Sequence, residues 1–168
     1  MQAELAARNV RMNNLIDKIS VREGDYREPS ALFACASYDV VFSNPPYRPV
    51  QSGAVSMGAR AAARHEITAT LADTMRAAAY ALKHGGRLAM VHLPERLGEI
   101  VFALHAEGLA VKRLRMVQPR ADRAPNLMLI EAVKGASPAG LRHEPALIVR
   151  DAAGNYTEEI HSIYGQEM

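Results

Sequence analysis

Tryptophan is absent from this chain, phenylalanine occurs 3 times and cysteine once. The single thiol, Cys35, excludes an internal disulfide; a small buried side chain in a reducing cytoplasm is the expectation, not a nucleophile. No apolar run approaches the roughly 20 residues that a membrane-spanning helix requires. The opening residues, Met1 to Arg8, hold no apolar core of the signal-peptide kind. Charge of one sign is also lacking: 20 Lys and Arg face 18 Asp and Glu, a net charge of +2. Any role with nucleic acid must therefore rest on a local patch. The 6 histidines and the lone cysteine show no metal-ligand spacing, so no metal is expected. Internal repeats, low-complexity tracts, a phosphate-binding glycine loop and a readable Ser-His-Asp arrangement are missing too.

What is present is a globular composition, 49% hydrophobic and 23% charged over 168 residues, enough for one domain with a substantial core. Residues 3–14 read as a helix with an Asn-Asn stop, and 18–22 alternate like a strand closed by Gly24-Asp25. A strand over 38–43 is followed by an aperiodic, glycine- and serine-containing loop from Arg48 to Gly58. Ile67, Leu71, Met75, Ala78 and Leu82 keep helical spacing over 65–83, with His84-Gly85-Gly86 as the stop signal. A strand over 87–93, a helix from Pro94 to Glu107 and strands over 111–117 and 127–133 come next. Residues 138–168 form a tail carrying one more strand, 146–150, and a short last helix. The alternation predicts an α/β fold, a mostly parallel sheet with helices on both faces and an antiparallel hairpin at one edge.

The chain is organised around Tyr38-Asp39-Val40-Val41-Phe42-Ser43-Asn44-Pro45-Pro46-Tyr47. An apolar, β-branched strand ends abruptly in a loop whose prolines fix φ and remove two donors. α/β proteins place ligands at this end of a strand. The Asn44 side chain and the Pro45 carbonyl are left as acceptors beside an aromatic ring, a setting that suits a planar group bearing an NH2.

Asn44-Pro45-Pro46-Tyr47 resembles the amino-methylating signature of class I S-adenosylmethionine-dependent methyltransferases. DNA and RNA adenine-N6 enzymes and protein glutamine methyltransferases share it. Further stretches are similar to the bacterial tRNA(Val) adenine-N6 methyltransferase group. They are Ala63-Arg64-His65-Glu66, Val91-His92-Leu93-Pro94-Glu95-Arg96-Leu97, Glu144 to Val149, and Gly154-Asn155-Tyr156-Thr157-Glu158-Glu159. The resemblance implies a partial Rossmann-like fold in a single domain over 1–168, methyl transfer from S-adenosylmethionine to an adenine N6 amine, and tRNA as partner. In that family a strand, a Gly-rich loop, a helix and an acid-tipped second strand come first. No such pattern precedes residue 24, so the first two strands are expected to be missing. The strand carrying Asn44 would then be an exposed apolar edge, open to homodimerisation.

The resemblance also distributes roles. Asn44 and Pro45 would accept from the target amine, with Pro46 stiffening the loop and Tyr47 stacking on an extruded base. Asp25 corresponds to the position that contacts the cofactor's adenine amine, and Asn44 lies against the methyl donor. Arg48, Arg60, Arg64 and His65 would hold RNA phosphates or close over the base; for His65 an ordinary helix-start role competes. Lys112, Arg113, Arg115, Arg120 and Arg123 form a basic cluster that would be either a phosphate-binding surface or a solvated, charge-protected strand face. His92 reads as a packed residue. Two other functions stay open: protein glutamine methylation with the same motif, and a catalytically inactive RNA-binding remnant lacking the cofactor loop.

Overall fold

The computed structural model describes residues 2–45, 47 and 70–165. Pro46, Arg48, Arg60, Arg64 and His65 lie outside the described residues, as does the loop 48–58. Among those described, the chain runs α1 (Gln2–Met12), α2 (Pro29–Leu32), β1 (Tyr38–Ser43), α3 (Leu71–Ala81) and β2 (Leu82–His92). A 3-10 turn (Pro94–Arg96) leads into α4 (Leu97–Ala106), and β3 (Leu109–Arg120), β4 (Leu127–Lys134), β5 (Arg142–Arg150) and α5 (Glu158–Ile163) follow.

The sheet order is β1-β2-β4-β3-β5. β1 with β2 and β3 with β5 are parallel, whereas β4 runs antiparallel to both its neighbours. The α/β class stands, with the pairings divided evenly between parallel and antiparallel. The 111–133 hairpin is present, but β5 adds beyond it and takes the edge position. Since only β4 is reversed, β1, β2, β3 and β5 all end on the same side of the sheet. Asn44, which follows β1, therefore emerges next to Leu93-Pro94-Glu95-Arg96, which follows β2.

Side chains alternate across a strand, and the core follows that period. Leu88, Met90, Leu114, Met128 and Ile130 point to one face, where α3 and α4 deliver Leu71, Met75, Ile100 and Leu104, all nearly inaccessible. Val117 and Leu147 point to the other face and are covered by Ile160 of α5. Helix α3 begins with a capping box: the Thr70 hydroxyl accepts from the Asp73 amide at 3.2 Å, and the Asp73 carboxylate accepts from the Thr70 amide at 2.9 Å. Two orphan donors are thereby satisfied at the helix start.

Cys35, expected to be buried, is exposed, because the 33–37 turn ahead of β1 carries no covering element among the described residues. Two expectations about elements are also corrected. Helix α3 stops at Ala81, and His84-Gly85-Gly86 lies inside β2, not at a helix end. The ladder pairs Tyr38 with Leu82 but Val40 with Arg87, so residues 83–86 form a bulge. Gly86 is required there: a Cβ would sit 3.2 Å from the Asp39 carbonyl and 2.9 Å from that of Lys83. The C-terminal carbonyls of α3 are instead met by Lys134, whose ammonium donates to Ala79 O and Leu82 O at 2.5 and 2.8 Å. The second correction concerns 18–22, which carries no strand. An alternating segment becomes a strand only if it finds a ladder, and no described strand lies beside it; Ile19 stays 46% exposed.

The outer edge of β1 likewise has no partner among the described residues. Phe42 is 82% exposed, and Tyr38 and Val40 are each 39% exposed. Among the described residues no helix is long and apolar enough to cross a membrane. Replacing Leu104, which has no exposed surface, by alanine should destabilise the chain by about 2–5 kcal/mol, read as a lowered urea midpoint with unchanged slope. Phe42→Lys should reduce self-association of the 168-residue chain in sedimentation equilibrium without lowering its melting temperature, because charge blunts an open edge.

Candidate active site at the end of β1

The loop after β1 places its groups in graded exposure. Asn44 is exposed, Pro45 is buried and Tyr47 is half-buried. The Tyr47 hydroxyl donates to Asn44 Oδ1 at 2.7 Å. Its ring meets the His92 ring edge-on, with centroids 5.3 Å apart and planes at 71°. Burial raises the Tyr47 phenol above the ordinary tyrosine range, since the phenolate is the form that loses solvation. His92 is fully buried, as expected of a packed residue. Its Nδ1 accepts from the Leu93 amide at 2.8 Å.

One residue that the sequence did not single out completes the arrangement. Arg96, 8% exposed, donates through Nε and NH2 to the two oxygens of Glu99 at 2.8 and 2.5 Å. Its NH1 donates to the Tyr47 backbone carbonyl at 3.0 Å. The signal for it was an arginine placed three residues before a glutamate, just after a strand and a proline. The Arg96 hydrogen bonds hold the Glu99 carboxyl below the ordinary glutamate range, against a smaller opposing effect of burial.

A cleft of about 640 Å³ opens on the outer side of β1. Tyr26, Phe33, Val41, Asn44, Pro45 and Ala78 contribute to its walls, so it joins apolar and aromatic surface to the polar end of the motif. Asp25 is not among the lining residues. Its carboxylate is turned onto Arg27, at 2.8–3.0 Å from the guanidinium Nε, and that pairing lowers its pKa. Among the described residues no group of three or more His, Cys, Asp or Glu could hold a metal ion.

The basic cluster is not a row of bare cations. Arg113 pairs with Glu144 at 2.7 Å and Glu131 at 3.6 Å, and Arg115 pairs with Glu159 at 2.6 Å. Lys112 donates to the Ser137 and Ala139 carbonyls. These three brace β3 against β4, β5, α5 and the 137–139 turn. Arg120 and Arg123 share Asp122, at 3.3 and 3.9 Å, at the sheet end that also carries Asn44. The structure thus keeps Asn44, Pro45 and Tyr47 together, leaves Asp25 outside the cleft and divides the five basic residues into two groups.

No family model matches the chain. The tRNA1(Val) (adenine(37)-N6)-methyltransferase of Tolumonas auensis is 32% identical over 155 residues, covering 92% of this chain. The chain spans 62% of that relative's length. The crystal structure of a predicted O-methyltransferase from Agrobacterium tumefaciens matches 98% of this chain and 72% of its own, with a TM-score of 0.76 at 21% identity. The M protein of the type I restriction enzyme EcoKI matches 98% of this chain and 38% of its own, with a TM-score of 0.58 at 16% identity. Geranyl diphosphate C-methyltransferase from Streptomyces coelicolor, solved with S-adenosyl-L-homocysteine, matches 79% and 61%, with a TM-score of 0.57 at 14% identity. The chain has the α/β fold of these methyltransferases.

The lowered Glu99 pKa gives the site a defined acid response. A carboxyl whose folded pKa lies below its unfolded value adds stability that is complete above the ordinary glutamate range and is lost as pH falls through the lowered value. Glu99→Gln should therefore shrink the gain in stability between acid and neutral pH, measured as urea midpoints across an acid titration.

Proposed function

We propose that this chain carries the amine-binding part of an S-adenosylmethionine-dependent methyltransferase that acts on the N6 amino group of an adenine in tRNA. The observation that carries the reading is the Asn44-Pro45-x-Tyr47 cluster at the C-terminal end of β1, in a methyltransferase fold. The named relative supports adenine in tRNA over a protein glutamine side chain.

Asn44 Oδ1 and the Pro45 carbonyl accept the two amine protons, turning the nitrogen lone pair toward the methyl donor. A carbonyl oxygen has two lone pairs, so the amine can join the Tyr47 hydroxyl on Asn44 or displace it. The Tyr47 ring provides the stacking surface that an extruded base loses in leaving its neighbours. No strong base is needed, because the proton leaves after the nitrogen has become cationic; holding the nitrogen in line is the chain's main contribution. The cleft beside β1 fits the cofactor in its apolar and aromatic walls and in ending at Asn44, and its volume lies in the range of small-molecule sites. S-adenosylmethionine bound there would supply the electrophilic methyl group on a sulfonium. Asp25 would have to leave Arg27 to meet the cofactor's adenine amine. Arg120 and Arg123 would guide phosphates at the same sheet end; Arg48, Arg60, Arg64 and His65, outside the described residues, are proposed for RNA binding from the sequence alone. A homodimer paired along β1 would cover the open edge and with it the β1 wall of the cleft, so such pairing and cofactor binding are alternatives.

Calorimetric titration of S-adenosylmethionine into the chain, with methylation assays on tRNA lacking only this modification, tests the reading. Saturable binding and transfer that falls at least about 100-fold in Asn44→Ala are expected, in keeping with the cost of misplacing a reacting group. Binding of tRNA without any binding of S-adenosylmethionine would favour the inactive remnant instead.

A further inference from the structure

We infer that Arg96, fixed by Glu99, is a positioning residue for the amine-binding loop: it sets where Tyr47, and through it Asn44, presents its groups. The inference rests on the proposed methyl transfer for its kinetic consequence but on geometry alone for its substance.

A buried guanidinium is costly unless its charge is paired and its donors are used. At 8% exposure Arg96 meets that demand with both oxygens of Glu99 and the Tyr47 carbonyl. The guanidinium is planar and rigid, so the acceptors it binds are fixed in direction as well as distance. Glu99 sits in the first turn of α4, where the helix dipole favours a carboxylate. α4 is itself seated in the core through Ile100 and Leu104, neither of which has exposed surface. A rigid chain of contacts thus runs from the core through Ile100, Glu99 and Arg96 to the Tyr47 backbone. From there the ring is held against His92, and the hydroxyl reaches Asn44 Oδ1 at 2.7 Å. Upstream, buried Pro45 fixes its own φ. The loop is consequently held at Pro45, the second acceptor, and again at Tyr47. A lysine at 96 would keep the charge but could not span Glu99 and the Tyr47 carbonyl with one planar fork.

Two measurements test this on the 168-residue chain. The first is cross-relaxation between the isotope-labelled rings of Tyr47 and His92, which needs no activity. The contact should be present in the wild type, weakened in Arg96→Lys and lost in Arg96→Met. The second is steady-state methylation of an adenine-containing RNA hairpin. Here kcat should fall about 10- to 100-fold in Arg96→Met, the range expected for misplacing reacting groups by about 1 Å, and less in Arg96→Lys. S-adenosylmethionine affinity should be unchanged in both. A purely structural role would lower the melting temperature while leaving the ring contact and kcat per folded molecule intact, and that result overturns the inference. If the wild type neither binds S-adenosylmethionine nor methylates RNA, the functional reading fails, and the ring contact alone still decides whether Arg96 positions Tyr47.

Discussion

The parallel pairing of β1 with β2 is the constraint on which the rest of the site depends. Four consecutive β2 positions, Arg87 to Met90, stay in register with β1 only because residues 83–86, which stand opposite Asp39 alone, are absorbed in a bulge. That bulge in turn depends on Gly86, whose missing side chain leaves room for the Lys83 carbonyl, which a Cβ would meet at 2.9 Å, and for the Asp39 carbonyl at 3.2 Å. With the register set, Ser43 lies opposite Met90, and both chains leave the sheet together. The motif loop and the Pro94–Arg96 turn are then neighbours without either being specified by local sequence.

Charge is used inside the sheet more than on its surface. Arg113 and Arg115, which would make a basic face if solvated, are tied to Glu131, Glu144 and Glu159. These pairs are partly exposed, and pairs of that kind contribute little each; their role is alignment of β3 with β4, β5 and α5. The lowered pKa of Glu144 and the raised pKa of Arg113 share one cause, the hydrogen bond between them. Arg120 and Arg123, at the sheet end that carries Asn44, share a single carboxylate, Asp122.

Much of the fold was legible because it rests on periodicity and punctuation. The 127–133 strand, the Pro94 helix and the 38–43 strand follow from alternation and proline placement. What misled were signals that are true of isolated segments. Residues 18–22 alternate correctly, yet alternation promises only a side for each residue, and a ladder must come from elsewhere. Gly85-Gly86 has the composition of a helix stop, but Gly85 supplies a positive φ inside the bulge and Gly86 a close approach between backbones, which no local rule distinguishes. At the site, Asn44 and Tyr47 stood out because an Asn-Pro-Pro-Tyr run after a strand is chemically unusual. Arg96 did not, since it becomes meaningful only when β1 and β2 end side by side and bring it to the Tyr47 carbonyl.

The closure of α3 by Lys134 has a consequence for how the chain assembles. The helix lacks a local terminator: its last turn is followed at once by Leu82 in extended geometry, and the cation on its carbonyls comes from a residue 55 positions later than Ala79. In the folded chain the start of α3 is satisfied locally by Thr70 and Asp73, whereas its end is met by a residue of β4. Since β4 also supplies the strand between β2 and β3, one late segment completes both the helix and the sheet. Loss of β4 would therefore open the end of α3 and split the sheet between β2 and β3 at once.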